Sequence, residues 1–226
     1  MKPTRKIGRS HRSLRAIQPS AKTEQPVQLE SSLERDFCCL LEFDSDVVKY
    51  VEQPVIIKYL LQGRTRRYTP DFLIHYKNAK ASVLAEIKYQ ADLQANHLEL
   101  RPKFEAAEEY AAAQGWKFCI YTEAEIRTAY LKNVKFLLHF RNFQIISHEE
   151  QVQKLLAKLD DLGKSTPMEV LAQNFSNNNN GAKTLELLWC LVEKGFIGCN
   201  LLQPLTMQSD IWRIDGVLSV SKHGQD

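Results

Sequence analysis

Long apolar runs are missing from this sequence: nothing in it approaches the roughly 18 consecutive apolar residues that cross a bilayer, and its basic N-terminus leads into no apolar signal core. A cytoplasmic protein with no membrane partner is the expectation. No C-x-x-C pair occurs among the cysteines Cys38, Cys39, Cys119, Cys190 and Cys199, an odd set lying mostly among apolar neighbours. That excludes a disulfide scaffold and points to reduced core thiols. The six histidines are scattered without ligand spacing, which argues against structural zinc. Internal repeats are absent, and residues 1–22 contain no acid at all.

What is present begins with that last imbalance. Residues 1–22 hold seven Lys/Arg, leaving 23 basic against 27 acidic side chains in the remainder, so a +7 arm precedes a −4 body. Such an arm either binds phosphates through counterion release, by way of Lys2, Arg5, Lys6, Arg9, Arg12 and Arg15, or simply solubilises the chain; charge alone leaves both readings open. At 226 residues and 44% hydrophobic, the body is long enough for one ordinary domain and a smaller one. The expected division is a flexible basic arm over 1–28, a first domain over 29–147 and a second over 148–226, with a composition shift near Ser147.

Ser31-Ser32-Leu33-Glu34 has the form of a capping box, and Leu33, Phe37, Leu40 and Leu41 repeat at helical spacing, which predicts a helix to about residue 43. Glu52-Gln53-Pro54 punctuates, VIIKYLL follows as a strand, and Gly63-Arg64-Thr65 is a turn. FLIHY and SVLAEIKY, joined by the turn-prone KNAKA, form a β-hairpin. Leu100, Phe104, Ala107 and Ala111 mark an amphipathic helix ended by Gly115, and WKFCIYTE is a further strand. A short helix over 123–133 and an apolar helix or turn over 134–143 complete the domain. The order predicts an α/β fold, a mixed sheet with helices packed on it. After His148, three helical segments followed by FIGCN and DIWRI give the order of a winged helix.

The hairpin carries charges that a strand-like, apolar stretch does not need. Residues two apart on a strand face the same side, so Glu86 and Lys88 project together, and Asp71 opens the preceding strand after Pro70. Two carboxylates held close repel unless a cation sits between them, and an oxygen-only ligand set favours magnesium or manganese over zinc. A lysine beside such a metal can orient water or stabilise charge on a phosphate, which suits phosphodiester hydrolysis. The plainer alternative is an Asx turn at Asp71 and a solvated ion pair of Glu86 with Lys88. Glu34 likewise either closes the capping box or reaches the same cluster as a third acid. Lys103 on the following helix is a candidate phosphate contact, as are Arg64, Arg66 and Arg67 on the turn into the motif.

Pro70-Asp71 followed by Glu86-Ile87-Lys88 resembles the PD-(D/E)xK nucleases of the restriction-endonuclease-like fold. Leu33-Glu34-Arg35-Asp36-Phe37, Glu52-Gln53-Pro54, Tyr68-Thr69-Pro70-Asp71-Phe72 and Glu86-Ile87-Lys88, in that order, more narrowly resemble TnsA, the endonuclease subunit of heteromeric, Tn7-like transposases, over nearly the whole chain. The resemblance implies that Glu34, Asp71 and Glu86 bind Mg2+ or Mn2+ and that Lys88 is the motif lysine. It implies double-stranded DNA at transposon ends as substrate, cut on the 5′ strands. It further implies two partners, a TnsB-like DDE transposase for the 3′ strands and a TnsC-like AAA+ ATPase met largely through a C-terminal winged-helix-like domain. One departure is that at least one member of the family carries Gln where Glu86 stands, which leaves the number of metals open. The competing expectations are a stand-alone restriction-like or mismatch-nicking nuclease, and an inactive DNA- or protein-binding scaffold.

Overall fold

In the computed structural model, which describes residues 16–78, 80–174 and 181–214, two short strands, β1 (Ala16–Gln18) and β2 (Val27–Leu29), pair antiparallel ahead of helix α1 (Ser32–Phe43). Ser31 starts α1: its hydroxyl accepts the N–H of Glu34 at 3.1 Å, satisfying one of the donors that a helix N-terminus leaves unpaired. Strands β3 (Val47–Glu52), β4 (Ile57–Leu61), β5 (Arg64–Tyr68), β6 (Phe72–Tyr76) and β7 (Val83–Ile87) follow in close succession. Helices α2 (Gln90–Ala95) and α3 (His97–Ala113), strand β8 (Lys117–Tyr121) and helix α4 (Glu123–Ile126) complete this part of the chain.

The main sheet has the order β3-β6-β7-β8, with β7 and β8 parallel and the other neighbours antiparallel. Helices lie on both faces, because the strands are apolar on both. Phe72 and Ile74 turn one way, and Phe37 of α1 packs there, its ring 5.7 Å from Phe72 and 4.8 Å from Tyr121. Leu73 and its cross-strand partner Leu84 turn the other way, into a cluster with Ala107 and Ala111 of α3. Phe72, Leu73, Ile74 and Leu84, all fully buried, each contribute about 1.5–3 kcal/mol of transfer free energy. A mixed sheet flanked by helices is the restriction-endonuclease-like arrangement that the sequence implies.

One strand differs from expectation. The neighbour of the motif hairpin is β3, from the stretch VVKYVE, whereas the VIIKYLL segment supplies β4 and leaves the main sheet to pair with β5. The physical cause is local. Gln62 and Gly63 both take positive φ, 51° and 70°, which is the two-residue turn that folds β4 directly onto β5. Gln53, also at positive φ, redirects the chain after β3 while its N–H donates to the Asp71 carbonyl at 2.8 Å. The residues read as a turn, Arg64 and Thr65, therefore lie in a strand.

Contacts divide the chain into two units, up to Arg127 and from Thr128 onward; the composition shift lies further along, near Ser147. The second unit comprises α5 (Ala129–Leu138), a single 3-10 turn at Ile146–His148, α6 (Glu149–Leu162), β9 (Lys164–Ser165), α7 (Pro167–Asn174), α8 (Gly181–Glu193), β10 (Ile197–Cys199) and β11 (Ile211–Arg213). Its three strands run antiparallel in the order β10-β11-β9. Val152, Leu155, Leu156 and Leu159 of α6 and Leu187, Leu188 and Leu191 of α8 are buried in its core. Gly198 faces Trp212 across the hairpin, and a Cβ there would stand 2.5 Å from the indole nitrogen, so only glycine fits. All five cysteines are free thiols. Among the described residues no helix is long and apolar enough to cross a membrane.

Candidate active site

The alternation of β6 and β7 positions the acids. Leu73 and Leu84 are cross-strand partners on the α3 face; Asp71 and Glu86 each lie two residues further along and turn to the same side. Asp71 precedes β6, but its backbone remains in the ladder, its N–H donating to the Ala85 carbonyl at 3.0 Å. Its carboxylate accepts the N–H of Ile87 at 2.7 Å. Lys88 extends β7 by donating its N–H to the Tyr121 carbonyl at 3.1 Å, which keeps its side chain on the side of Glu86.

Glu86 is only 2% exposed, and a charge that deep must be paired. It is paired three ways. Tyr68 donates its hydroxyl to Oε2 at 2.7 Å. Lys103 Nζ donates to Oε1 at 3.2 Å, and Lys88 Nζ stands 3.5 Å from the same oxygen. Lys103, a candidate phosphate contact in the sequence, thus lies against the carboxylate, 18% exposed and with its ammonium over the rings of Tyr68 and Phe104. Burial and the charge of Glu86 push the Tyr68 phenol far above its ordinary range, so it stays a donor.

Asp71 is held differently. Burial, then the charge of Glu86, then that of Glu34 push its carboxyl well above the usual carboxylate range, against the Ile87 N–H and Lys88. Carboxylates held this close repel, and a cation bound between them would relieve that repulsion. The donors are hard oxygens, and magnesium is commonly held by one or two carboxylates while it keeps several waters. The pair Asp71 and Glu86 fits such an ion. Among the described residues, no three or more His, Cys, Asp or Glu side chains are gathered closely enough to cage a metal by themselves.

Glu34 divides its interactions. Its N–H is capped by Ser31, while its carboxylate accepts the N–H of Glu30, not that of Ser31, at 2.9 Å. Burial raises its carboxyl, and the nearby Lys88 lowers it. Its charge acts on Asp71, so it lies within electrostatic reach of the pair without joining it directly. Arg64, Arg66 and Arg67 are exposed along β5, the strand that ends in Tyr68. Lys2, Arg5, Lys6, Arg9, Arg12 and Arg15 lie outside the described residues. Tyr68 is the site residue that sequence reasoning passed over; its signal was its place at the head of Tyr68-Thr69-Pro70-Asp71.

Residues 44–123 match the family model of the TnsA-like endonuclease N-terminal domain, a span that includes Asp71, Glu86, Lys88, Tyr68 and Lys103. No curated protein is a significant match to the chain.

Proposed function

Because residues 44–123 carry a TnsA-like endonuclease N-terminal domain, we propose that this chain is the endonuclease subunit of a Tn7-type transposase and hydrolyses the 5′-strand phosphodiesters at transposon ends. The observation that carries the reading is the convergence of Asp71 and Glu86 on one face of the sheet, with Lys88 and Lys103 both on a single oxygen of Glu86. A structural ion pair needs one cation for one buried acid; this arrangement has an acid surplus at Asp71 and a lysine surplus at Glu86.

In this reading Asp71 and Glu86 hold Mg2+ or Mn2+, and Glu34 completes the acidic set. The metal, when bound, supplies Lewis acidity toward the phosphate and lowers the pKa of a bound water. The chain's own residues do the positioning. The Ile87 N–H and the Tyr68 hydroxyl fix the two carboxylates, which is the hydrogen-bonded support that metal ligands require. Lys88 orients the attacking water and stabilises charge that develops on the phosphate.

A DDE transposase, TnsB-like, would cut the 3′ strands and recruit this subunit, and an AAA+ ATPase, TnsC-like, would regulate both. We assign contact with the ATPase to the second unit, which we read as winged-helix-like. Supporting that reading are the succession α6, β9, α7, α8, β10, β11 and the central place of β11 in the sheet. The chief argument against DNA readout by α8 is composition: the helix commits Leu187, Leu188, Cys190, Leu191 and Val192 to the core and sets Glu186 and Glu193 against Lys183. The basic arm is assigned to DNA phosphates, and the site of action to the cytoplasm.

Incubating the isolated chain with arbitrary duplex DNA and magnesium tests the assignment to a transposase. A partner-dependent subunit leaves such DNA intact and cuts element ends once the DDE transposase is present. Efficient cutting of arbitrary DNA without partners would transfer the chain to the stand-alone nucleases.

A further inference from the structure

The β4–β5 hairpin presents two sides, and its register separates their chemistry. Ile57 pairs with Tyr68, Lys58 with Arg67, Tyr59 with Arg66, Leu60 with Thr65, and Leu61 with Arg64. Ile57 and Tyr68 are buried in the cluster under α3, and Tyr59 packs against it. Alternation therefore gives that inner side the Tyr59/Arg66 and Leu61/Arg64 pairs. The outer side receives Lys58 opposite Arg67, then Leu60 opposite Thr65.

This outer side is unfavourable for an isolated molecule. Like charges directly across an antiparallel ladder destabilise it, and Lys58 and Arg67 are both exposed with no carboxylate among the described residues paired to either. Leu60 beside them is 74% exposed. The Gln62-Gly63 turn has only two residues, so the cations are held on a short, stiff ribbon, not on a floppy loop. Arg67 adjoins Tyr68, whose hydroxyl reaches Glu86, which ties the ribbon by one residue to the candidate catalytic carboxylates.

We propose that the outer face of the β4–β5 hairpin, with Lys58 and Arg67 as its charged pair, is a clamp for the duplex DNA backbone and binds phosphates flanking the scissile one. The clamp rests on the endonuclease reading for its ligand, while its evidence is the register and the unpaired charges. Its two cations contact phosphates and carry no base readout. The exposed Leu60 and Thr65 then lie against the sugar edge.

The test is fluorescence anisotropy of the full chain with a labelled duplex of about 30 base pairs, in EDTA to prevent cutting, over a range of salt. Lys58→Gln with Arg67→Gln should weaken binding on the order of tenfold at about 100 mM salt and flatten the log–log salt slope by about 2, one per lost phosphate contact. The charge-conserving Lys58→Arg with Arg67→Lys should keep wild-type affinity, which separates lost contacts from lost folding. Arg64→Gln with Arg66→Gln, which removes two cations from the inner side, should cost less. The proposal is overturned if the outer-face variant binds like wild type, if the inner-face variant loses as much, or if wild type itself does not bind duplex. The endonuclease reading fails on a different result, namely element ends cut equally well by wild type and Asp71→Ala in magnesium with the partner transposase.

Discussion

The carboxylate of Asp71 accepts the backbone N–H of Ile87 at 2.7 Å, so the strand that presents Glu86 also anchors the acid opposite it. A shift of β7 against β6 would break this bond and separate the two acids. The pair is preorganised by the ladder, and the cost of that is charge: burial and Glu86 both oppose ionisation of Asp71.

From this cost follows a stability prediction. A folded-state pKa above the unfolded value means that the folded chain holds the proton more tightly. That contribution is complete below the ordinary carboxylate range and disappears as the pH rises through the raised folded value. Metal-free protein should therefore lose stability, relative to its Asp71→Asn variant, as the pH climbs from about 4 toward neutrality. Asp71→Asn keeps an oxygen to accept the Ile87 N–H, so near neutral pH in EDTA it should melt about 2–4 °C higher than wild type, the shift of roughly 1 kcal/mol in a chain of this size. Thermal denaturation across pH checks this. An Asn variant that melts lower than wild type at neutral pH would show that Asp71 is not strained.

Lys103 and Lys88 both stand against Glu86 Oε1, so a metal held by Glu86 would have to compete with them for that carboxylate. Lys103→Met removes one competitor and keeps much of the stem packing over Tyr68 and Phe104. Loss of a partner to a buried acid should lower metal-free stability by about 1–3 kcal/mol. The rise in melting temperature on adding Mn2+ should be larger in the variant than in wild type, because bound metal stabilises by mass action. A smaller rise would mean that Lys103 supports the metal and does not compete with it.

Glu34 combines a local structural bond with a place near the pair. Glu34→Gln retains an acceptor for the Glu30 N–H, so the melting temperature should change by less than about 1 °C, as for an ordinary neutral substitution. If Glu34 belongs to the acidic set, cleavage of element ends should fall on the order of tenfold or more, the loss of about 1.4 kcal/mol or more from the barrier. Unchanged cleavage would leave Glu34 as a helix-entry residue.

Asp71, Glu86 and Lys88 were legible in the sequence because a two-residue period and a short hairpin fix their relation locally. α1, with its Ser31 cap, and the helix ending before Gly115 were legible for the same reason. Lys103 was singled out, but its pairing with Glu86 depends on how α3 packs across β7, and Tyr68 reaches the site only through the register of β4 against β5. Neither relation has a local signal. The strand β5 was hidden because four of its five residues are exposed and polar; only the Gln62-Gly63 turn betrays it. Only the VIIKYLL segment of β4 was read as a strand, and β3 was passed over; the backbone turns at Gln53 and Gln62, both at positive φ, that set β3 beside β6 and β4 on β5 are not revealed by propensity.

The central claim is that Asp71 belongs to a metal-dependent centre for 5′-strand hydrolysis. The measurement that addresses it most directly is strand-specific mapping of breaks on a plasmid carrying the element ends, with the DDE transposase, the AAA+ ATPase, magnesium, and either wild type or Asp71→Ala. The account predicts breaks on both strands with wild type and only 3′-strand breaks with the variant. Identical breaks on both strands from the two proteins would contradict it and leave the buried acids and lysines as a structural network on a scaffold.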